Sequence, residues 1–318
     1  MDLRQLRYFA GIVQAGSLAR AADQLHVAQS AISHHLASLE AELDRQLVTR
    51  GPKGIALTEA GAVLYRHAEA ILRHVESARQ EVSSRPNVPS GHVSIGLPPA
   101  LAAVLGFELF VRMRNAYPQI LLQLSNAKSS LLRERLDNGR LDIALLFVGQ
   151  AERGLTVEPL LIEELFYVTA GPDSSPIGIA DAAQRPLLMC GPASGIQCTV
   201  QDVFRKHGLT VTPIGEFDAL FMLRRAIASG IGDSILPWSA LHDGHQTIAL
   251  NCRRFADATL ARPVALCFSD VGQRSPAIEA VALTLKSLVR ELVENGTWQG
   301  VSMIAPPAEP SCSAAPPV

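Results

Sequence analysis

One stretch, from Ser17 to Glu42, constrains this chain more than any other, because it predicts two short helices joined by a tight turn. Ser17 suits the N-cap of the first helix, since its hydroxyl can accept a hydrogen bond from the first helical turn. Small residues follow it and allow a second helix to cross at short range, as a helix-turn-helix requires. These residues are Ala19, Ala21 and Ala22. The stretch therefore predicts a helix-turn-helix.

The second predicted helix, residues 29–43, has two faces of opposite character. Apolar residues recur at helical spacing on one face: Ile32, Leu36, Leu39 and Leu43. Polar residues occupy the other face: Gln29, Ser30, Ser33 and His34. Their donors and acceptors suit base edges and phosphates in a major groove. From these residues alone, an ordinary amphipathic helix pair with a solvated face explains the pattern equally well.

The composition bounds the size and class of the molecule. At 318 residues the chain exceeds one typical core, so two or three domains are expected. Its net charge of −2, from 28 Lys and Arg against 30 Asp and Glu, lacks the basic excess of a non-specific nucleic-acid binder. Any contact with DNA must therefore come from a local patch.

Cysteine usage and hydropathy bear on the cellular compartment. The five cysteines are odd in number and widely scattered, which argues against a disulfide framework. The first predicted helix is amphipathic and carries Asp2, Arg4 and Arg7 instead of an apolar signal core, and no apolar run reaches membrane-spanning length. A cytoplasmic protein with no membrane partner is expected.

A basic turn follows the predicted helix-turn-helix. Glycine and proline surround Arg50 and Lys53, and a short apolar segment comes next, which predicts a β-hairpin wing. Both cations could reach phosphates or a minor groove. A basic turn that is merely solvated is the alternative, but its position directly after a helix-turn-helix favours the contact.

A long helix is predicted from the cap at Thr58 to about residue 84. Its apolar residues step by three or four: Ala60, Leu64, Ala68, Ile71, Val75, Ala78 and Val82. This stripe is too narrow for a core helix and predicts a dimerisation seam. A surface helix packed on its own domain is the alternative.

From residue 92 onwards, predicted strands alternate with predicted helices. Two prolines and a glycine in 85–91 mark a hinge before this part. Strands are predicted at 93–97, 120–124, 141–147, 186–190, 211–214, 233–236 and 264–268, with helices between them. This order predicts an α/β fold with a parallel sheet and helices on both faces. The last residues, 301–318, are rich in proline, alanine and serine and are predicted to form a disordered tail.

Candidate ligand contacts lie where the predicted strands end, because open parallel sheets bind ligands beyond the carboxyl ends of their strands. They are Pro99, Ala100, Leu101, Lys128, Ser129, Ser130, Phe147, Ser194, Ile196, Asp218 and Ala219. Helix N-termini, the serines and Lys128 favour an anion such as a carboxylate. Asp218 would repel an anion or pair with a cation. Alternatively, the serines only cap helices.

Residues 1–61 resemble the winged helix-turn-helix of LysR-type transcriptional regulators. The stretches that carry the resemblance are Leu6-Arg7-Tyr8-Phe9, Gly16-Ser17-Leu18, Ala21-Ala22, Leu25 to Ser33, Leu39-Glu40, Leu43 and Leu57 to Gly61. The positions that match the family's DNA contacts are Gln29, Ser30, Ser33, His34, Arg50 and Lys53. The family usually has proline at Ser30, glycine at Asp44 and phenylalanine at Val48, and often arginine at His34.

The second part resembles the two-lobed, periplasmic-binding-protein-like effector domain of the same family. Residues 139–144, 228–232 and 236–237 carry this resemblance. It implies a winged helix-turn-helix (1–61), a linker helix (58–84), a hinge (85–91) and an effector domain (92–300). Within that domain, lobe I covers about 92–163 and 269–300, and lobe II about 164–268. The candidate contacts named above would then line an effector cleft between the lobes.

The resemblance implies a nucleoid-associated, sequence-specific DNA-binding regulator. Its partners would be a promoter operator in double-stranded DNA, RNA polymerase and other copies of itself. The family usually forms homodimers that assemble into homotetramers, and a small-molecule effector in the cleft controls it. The chain looks closest to the nitrogen assimilation control branch, which acts without an effector. Control by abundance alone is therefore the alternative.

Other classes of function find less support. Some family members sense peroxide through a cysteine pair, but the spacing of Cys190 and Cys198 does not match, and structural cysteines are favoured. Residues 191–195 place their serine wrongly for a nucleophile elbow, and no P-loop, dinucleotide motif or metal-ligand cluster occurs. No enzyme activity, cofactor or metal is expected. A solute-binding module is the runner-up for the second part.

Overall fold

The computed structural model describes residues 1–51, 54–83, 88–148, 153–191, 194–241, 250–269 and 274–304. The first unit, called the head below, contains three helices and a two-stranded antiparallel hairpin. Their bounds are α1 Leu3–Ala15, α2 Leu18–Gln24, α3 Gln29–Leu43, β1 Val48–Gly51 and β2 Gly54–Leu57. Buried apolar side chains of all three helices form the core of the head, and the predicted helix-turn-helix with a wing is confirmed.

Local hydrogen bonds fix the ends of α1 and the approach of the wing. Asp2 caps α1 by accepting a hydrogen bond from the Gln5 N–H at 2.8 Å, and Gly16 ends the helix at φ 64°. The wing packs against this turn, because the Ile55 N–H donates to the Gly16 carbonyl at 3.0 Å. A Cβ at Gly54 would lie 2.7 Å from that carbonyl oxygen, so the close approach requires glycine.

Two expectations for the helix-turn-helix need correction. Ser17 occupies the N-cap position of α2, but its side chain makes no capping hydrogen bond. Leu43, expected on the core face of α3, is 38% exposed. The reason is that α3 ends there, and Asp44 turns the chain in the left-handed region at φ 48°. The buried face of α3 therefore ends at Leu39.

The long helix α4, Glu59–Ser83, has two apolar sides, of which one packs on the head and the other is exposed. Thr58 caps it by accepting a hydrogen bond from the Gly61 N–H at 2.9 Å. Ala60, Leu64 and Ala68 pack into the core of the head. The prediction of a single dimerisation seam is wrong for this half of the helix, because these residues complete the head. A second set, called the exposed stripe below, lies at helical spacing on another side: Val63, His67, Ile71, His74 and Ala78.

Lobe I is built from the segment that begins at Gly91 and from the end of the described chain. Residues 85–87 of the predicted hinge lie outside the described residues, and its last residue, Gly91, begins a strand. Its first elements are β3 Gly91–Leu97, α5 Pro99–Ala116, β4 Ile120–Asn126, α6 Ser129–Asp137 and β5 Ile143–Leu146. Strand β3 lies between β4 and β5 and is parallel to both, as predicted. Two antiparallel strands extend the sheet beyond β5, so that the sheet is mixed: β11 Ala261–Ser269 and β6 Leu155–Thr169.

The end of the described chain completes lobe I. Helix α10, Pro276–Glu294, packs with α5 over one face of the sheet, around the main core of the lobe. Residues 301–303 form strand β12, Val301–Met303, which pairs antiparallel with β6. Their assignment to a disordered tail is therefore wrong, and the rest of that predicted tail, 305–318, lies outside the described residues.

Lobe II surrounds the second half of β6. Two short strands pair antiparallel with this half: β9 Ser234–Pro237 and β10 Asn251–Arg253. A separate parallel pair is formed by β7 Leu188–Cys190 and β8 Gly215–Phe217. The helices are α7 Ile179–Ala183, α8 Gly195–Lys206 and α9 Leu220–Ala228. The strand expected at 211–214 is absent from this described segment, and β8 follows it instead.

Strand β6 joins the two lobes. Leu160 and Leu161 lie in the main core of lobe I, whereas residues 165–168 lie in the core of lobe II. The chain returns along β11, with Leu260 in the lobe II core and Val264 in the lobe I core. The expected lobe boundary near 268 is therefore displaced to about 261, because β11 belongs to the sheet of lobe I.

Candidate operator interface and regulatory cleft

The polar face of α3 forms the candidate operator interface. Gln29 and Ser30 lie in the first turn of the helix, and Ser33 and His34 lie one turn later on the same side. Gln29, Ser30 and His34 are exposed, and Ser33 is partly buried. Ala28 at the N-cap offers no side-chain acceptor to the first N–H groups of the helix. A helix N-terminus in this state favours a phosphate oxygen.

Neighbouring rings hold His34 in place on this face. The rings of His34 and His35 meet edge to face with centroids 6.1 Å apart, and His35 meets Tyr8 of α1 in the same way at 5.0 Å. The other two predicted DNA contacts cannot be placed. Lys53 and the side chain of Arg50 lie outside the described residues.

A carboxylate positions the wing relative to α3. The Glu40 side chain accepts hydrogen bonds from the N–H groups of Leu47 and Val48, at 2.8 and 3.3 Å. Thr58 contributes from the other end of the hairpin, where its N–H donates to the Leu47 carbonyl at 3.0 Å. Sequence reasoning quoted Glu40 only as part of the family resemblance. Its structural role requires knowledge of where β1 begins.

A cavity of about 60 Å³ lies between the lobes, beyond the carboxyl ends of the strands. Its residues come from both lobes and from the return strand: Pro98, Pro99, Ala100, Lys128, Ser129, Phe147, Cys190, Gly191, Ser194, Gly195, Ile196, Phe217, Asp218, Leu220 and Arg262. Most of the lining is apolar. The volume is far below the roughly 300–1,000 Å³ of a typical ligand pocket.

Eight of the eleven candidate cleft residues line this cavity. Leu101 does not, because its side chain is fully buried in the lobe I core. Ser130 is exposed on the first turn of α6, and Ala219 lies at the N-cap of α9, and neither lines the cavity. Ser194 caps α8 through a hydrogen bond from the Ile196 N–H at 3.2 Å, whereas Ser129 is not a cap.

An ion pair crosses the cleft. Lys128, at the N-cap of α6 in lobe I, donates from Nζ to Oδ1 of Asp218 in lobe II at 2.6 Å. Gly191 lies beside it, and a Cβ there would lie 2.2 Å from the same carboxylate oxygen. The sequence predicted both charged residues in the cleft but not that they pair with each other.

A second ion pair lies behind the cavity and is buried. Arg262 of β11 and Glu163 of β6 are cross-strand neighbours, and the guanidinium donates to Glu163 Oε2 at 2.7 and 3.0 Å. Their side chains are 4% and 1% exposed. Arg262 also lies 3.4 Å from the ring centroid of Phe147, in a cation–π contact. Sequence reasoning missed Arg262, since it reaches the cavity from the return strand.

The cysteines near the cleft do not form a reactive pair. Burial raises the pKa of the Cys190 thiol to about 11, although a hydrogen bond with Ser194 acts in the opposite direction. Cys190 is therefore a neutral thiol at physiological pH. Cys190 and Cys198 are both free, and Cys198 is exposed. Burial and the raised pKa support a structural role for Cys190.

Comparison with known proteins identifies the family. A family model described as the bacterial regulatory helix-turn-helix protein, lysR family, matches residues 3–62. Another, the LysR substrate binding domain, matches residues 86–290, well over half of the chain. The chain belongs to the LysR family of transcriptional regulators. It is thus a DNA-binding regulator with an effector-binding domain, and the resemblance of its two parts to this family is confirmed.

Similar LysR-type proteins span nearly the whole chain. The Nitrogen assimilation regulatory protein nac of Klebsiella aerogenes is 36% identical over 305 residues, covering 95% of this chain and 100% of that protein. The protein of the same name in Escherichia coli K12 is 35% identical with the same coverage.

Solved structures confirm the LysR-type fold. A full-length OxyR variant from Pseudomonas aeruginosa has a TM-score of 0.70 at 23% identity, over 91% of this chain and 95% of that one. Full-length CbnR in complex with its target DNA has a TM-score of 0.65 at 21% identity, over 92% and 99% of the two chains. Within the described ranges, no helix combines the length and apolarity needed to cross a bilayer.

Proposed function

We propose that this LysR-type regulator recognises its operator through the exposed polar face of α3 and acts by binding, not by catalysis. The observation that carries the proposal is the placement of Gln29, Ser30, Ser33 and His34 on the first two turns of α3, opposite its buried face. In this proposal Gln29 and Ser33 read base edges. Arg50 and Lys53 of the wing hold the DNA backbone or minor groove.

The proposed active form is a homodimer that assembles further into a homotetramer. The exposed stripe of α4, which includes Val63 and Ile71 at 42% and 36% exposure, supports pairing of the linker helices. Large apolar side chains are also exposed on both lobes, at Phe107 and Leu121 of lobe I and at Phe221 and Met222 of lobe II. These side chains are the proposed contacts between dimers in the tetramer.

The proposed targets are genes of nitrogen assimilation. Full-length similarity to two regulators named for that process supports this assignment. RNA polymerase is the proposed partner at the promoter. Selection of genomic fragments by the purified full-length protein, followed by sequencing, tests the targets. Enrichment of unrelated promoters would overturn the assignment to nitrogen genes and leave operator binding intact.

Helix α6 is the proposed connection between the cleft and the linker helix. Lys128 of the cleft precedes its first turn, and Arg140 follows shortly after its last. Arg140 donates to Glu69 of α4 at 2.5 Å and lies 5.4 Å from the ring centroid of Tyr65. Gly139 packs so closely on α4 that a Cβ there would lie 2.9 Å from the Ala70 Cβ. A shift of α6 upon lobe closure would therefore move against α4.

The inter-lobe cleft is the proposed point of control. Opening and closing of the lobes would change the arrangement of the paired heads and hence the bend of the operator. A small effector in the cavity is the first proposed means of closure, and direct contact between the lobes is the alternative. Control by abundance alone corresponds to lobes that close without an effector.

The operator proposal is tested with an enriched fragment and a scrambled fragment of equal length. We expect Gln29→Ala to reduce the ratio of specific to non-specific binding by about 5- to 150-fold, since a bidentate base contact contributes about 1–3 kcal/mol of discrimination. Lys53→Ala should weaken both fragments alike. Equal weakening of both fragments by Gln29→Ala would contradict a base-reading role.

A further inference from the structure

The N-terminus of α6 has the properties of an anion subsite, and Lys128 provides its charge. Lys128 occupies the N-cap position without a side-chain cap, and Ser129 of the first turn lines the cavity. The unpaired N–H groups of a helix N-terminus and an ammonium group both favour a carboxylate or phosphate oxygen. An anionic effector in this cleft would be expected to bind here.

The cation of that subsite is already paired with a carboxylate of the protein itself. Oδ1 of Asp218, which follows β8 in lobe II, lies 2.6 Å from Nζ of Lys128 in lobe I. The pair therefore links the two lobes across the cleft. Both side chains lie among the residues that line the cavity.

The backbone beneath the pair leaves the space that the Asp218 carboxylate needs. A Cβ at residue 191 would lie 2.2 Å from Asp218 Oδ1 and 3.8 Å from Lys128 Nζ. The absence of a side chain at Gly191 therefore permits the carboxylate to reach Lys128. The wall of lobe II is thus shaped to fit the Asp218 carboxylate in the position that it has in the ion pair.

The other charges of the described lining leave no cation for a second anion. Arg262 is the only other cationic residue in it, and Glu163 and the Phe147 ring engage its guanidinium. The Cys190 thiol beside the cavity is neutral, since burial raises its pKa to about 11. Among the described lining residues, Lys128 is thus the one cation with which an effector anion could pair, and Asp218 competes for it.

We propose that Asp218 is a built-in occupant of the anion subsite, so that its carboxylate closes the two lobes in place of an anionic effector. This inference rests on the proposed control through the inter-lobe cleft. The side chains of Lys128 and Asp218 are 37% and 74% exposed. An exposed ion pair shifts an equilibrium by up to about fivefold, so the pair biases the lobes towards closure without locking them.

The proposal predicts that removal of the carboxylate converts the cleft into a binding site for small carboxylates. The experiment uses the full-length protein, with acetate and succinate as probes and thermal shift and titration calorimetry as readouts. We expect no saturable response from the natural protein at millimolar probe. Asp218→Asn should give a dose-dependent stabilisation, and adding Lys128→Gln to that variant should abolish it.

Two further variants keep the test decisive. Asp202→Asn removes an exposed aspartate that pairs with Arg205 on α8, away from the cleft, and should create no response. Asp218→Ser removes the same carboxylate with a smaller side chain and should reproduce the result of Asp218→Asn. An equal response of the natural protein and both Asp218 variants, or no response from any of them, would overturn the proposal.

Operator binding, measured on every variant, separates this inference from the proposed function. If carboxylates bind only after loss of Asp218 but never alter operator affinity or bend, the built-in occupant stands and control through the cleft fails. If operator binding changes with Asp218→Asn while no probe binds, the ion pair matters for the lobes but the anion subsite does not exist.

Discussion

Asp44 has a side chain that does not suit the backbone conformation at its position. It ends α3 at φ 48° and ψ 39°, in the left-handed region that glycine adopts without penalty. The family usually has glycine at this position. The sequence shows the replacement by aspartate but not the backbone conformation that it affects. The structure supplies the reason, since an L-residue is strained in this region.

Asp44→Gly should stabilise the protein by roughly 0.5–1 kcal/mol. Relief of the left-handed strain exceeds the extra conformational entropy that glycine gives to the unfolded chain. Urea denaturation of the full-length protein measures the change, and Asp44→Asn should give a smaller gain because asparagine is, after glycine, the usual residue at a left-handed helix end. A loss of stability with glycine would show that the Asp44 side chain has a contact of its own.

In the buried ion pair of Arg262 and Glu163, each charge offsets the cost of burying the other. Arg262→Ala should lower the free energy of unfolding by about 3–5 kcal/mol, because it leaves a carboxylate that is 1% exposed without its cation. The matched control is Arg205→Ala, which breaks an exposed ion pair with Asp202 and should cost no more than about 1 kcal/mol. Similar losses in the two variants would contradict the importance of burial.

The candidate residues of the cleft illustrate what a sequence can predict at this scale. Lys128, Ser194 and Asp218 could be placed in the cleft because each stands where a predicted strand ends. Gly191 could not be placed there, since its role is to leave space for the Asp218 carboxylate. Arg262 could not either, because its approach depends on the pairing of β11 with β6, which adjoin only in the folded sheet.

At the scale of elements, α4 shows that an apolar pattern predicts burial but not the partner. Its apolar residues step regularly, yet Ala60, Leu64 and Ala68 complete the head while the exposed stripe faces solvent. Strand β6 shows that a strand without regular apolar alternation is not predicted at all. Pro159 and several glutamates interrupt its apolar alternation, so the longest strand of the described chain gave no clear strand signal.

The exposed stripe of α4 yields a prediction about assembly. Ile71→Glu should convert the proposed dimer to monomer, measured by sedimentation velocity, and reduce operator affinity at least tenfold, because a buried unpaired charge at a helix seam is strongly unfavourable. Arg79→Glu adds the same side chain on another side of the helix and should leave assembly unchanged. A stable Ile71→Glu dimer would exclude this stripe as the seam.

At the scale of the whole molecule, local patterns predict the order of the elements, whereas their grouping into two lobes could be predicted only from the resemblance to the LysR family. Predicted strands and helices alternate along the chain much as they do in the structure, because local periodicity encodes them. The division into lobes depends on pairings between residues about 100 positions apart, such as Arg262 with Glu163. Such distant pairings leave no local pattern.

The end of the described chain offers a test of this long-range construction. A chain that stops after Gly300 loses β12, which pairs with Leu161, Ile162 and Glu163 of β6, and should lose roughly 2–4 kcal/mol of stability. A chain that stops after Ile304 keeps this strand and should unfold at the same urea concentration as the full-length protein. Equal midpoints for the two truncated chains would show that β12 contributes nothing.

The construction of lobe I from both ends of the regulatory segment has a consequence for synthesis. A ribosome releases the head and α4 long before it releases β11, α10 and β12, which complete lobe I. DNA-binding capacity therefore arises in the nascent chain before regulation does. A nonsense mutation late in the gene would leave heads that still occupy operators and pair with intact chains, and it would act as a dominant allele instead of a simple loss.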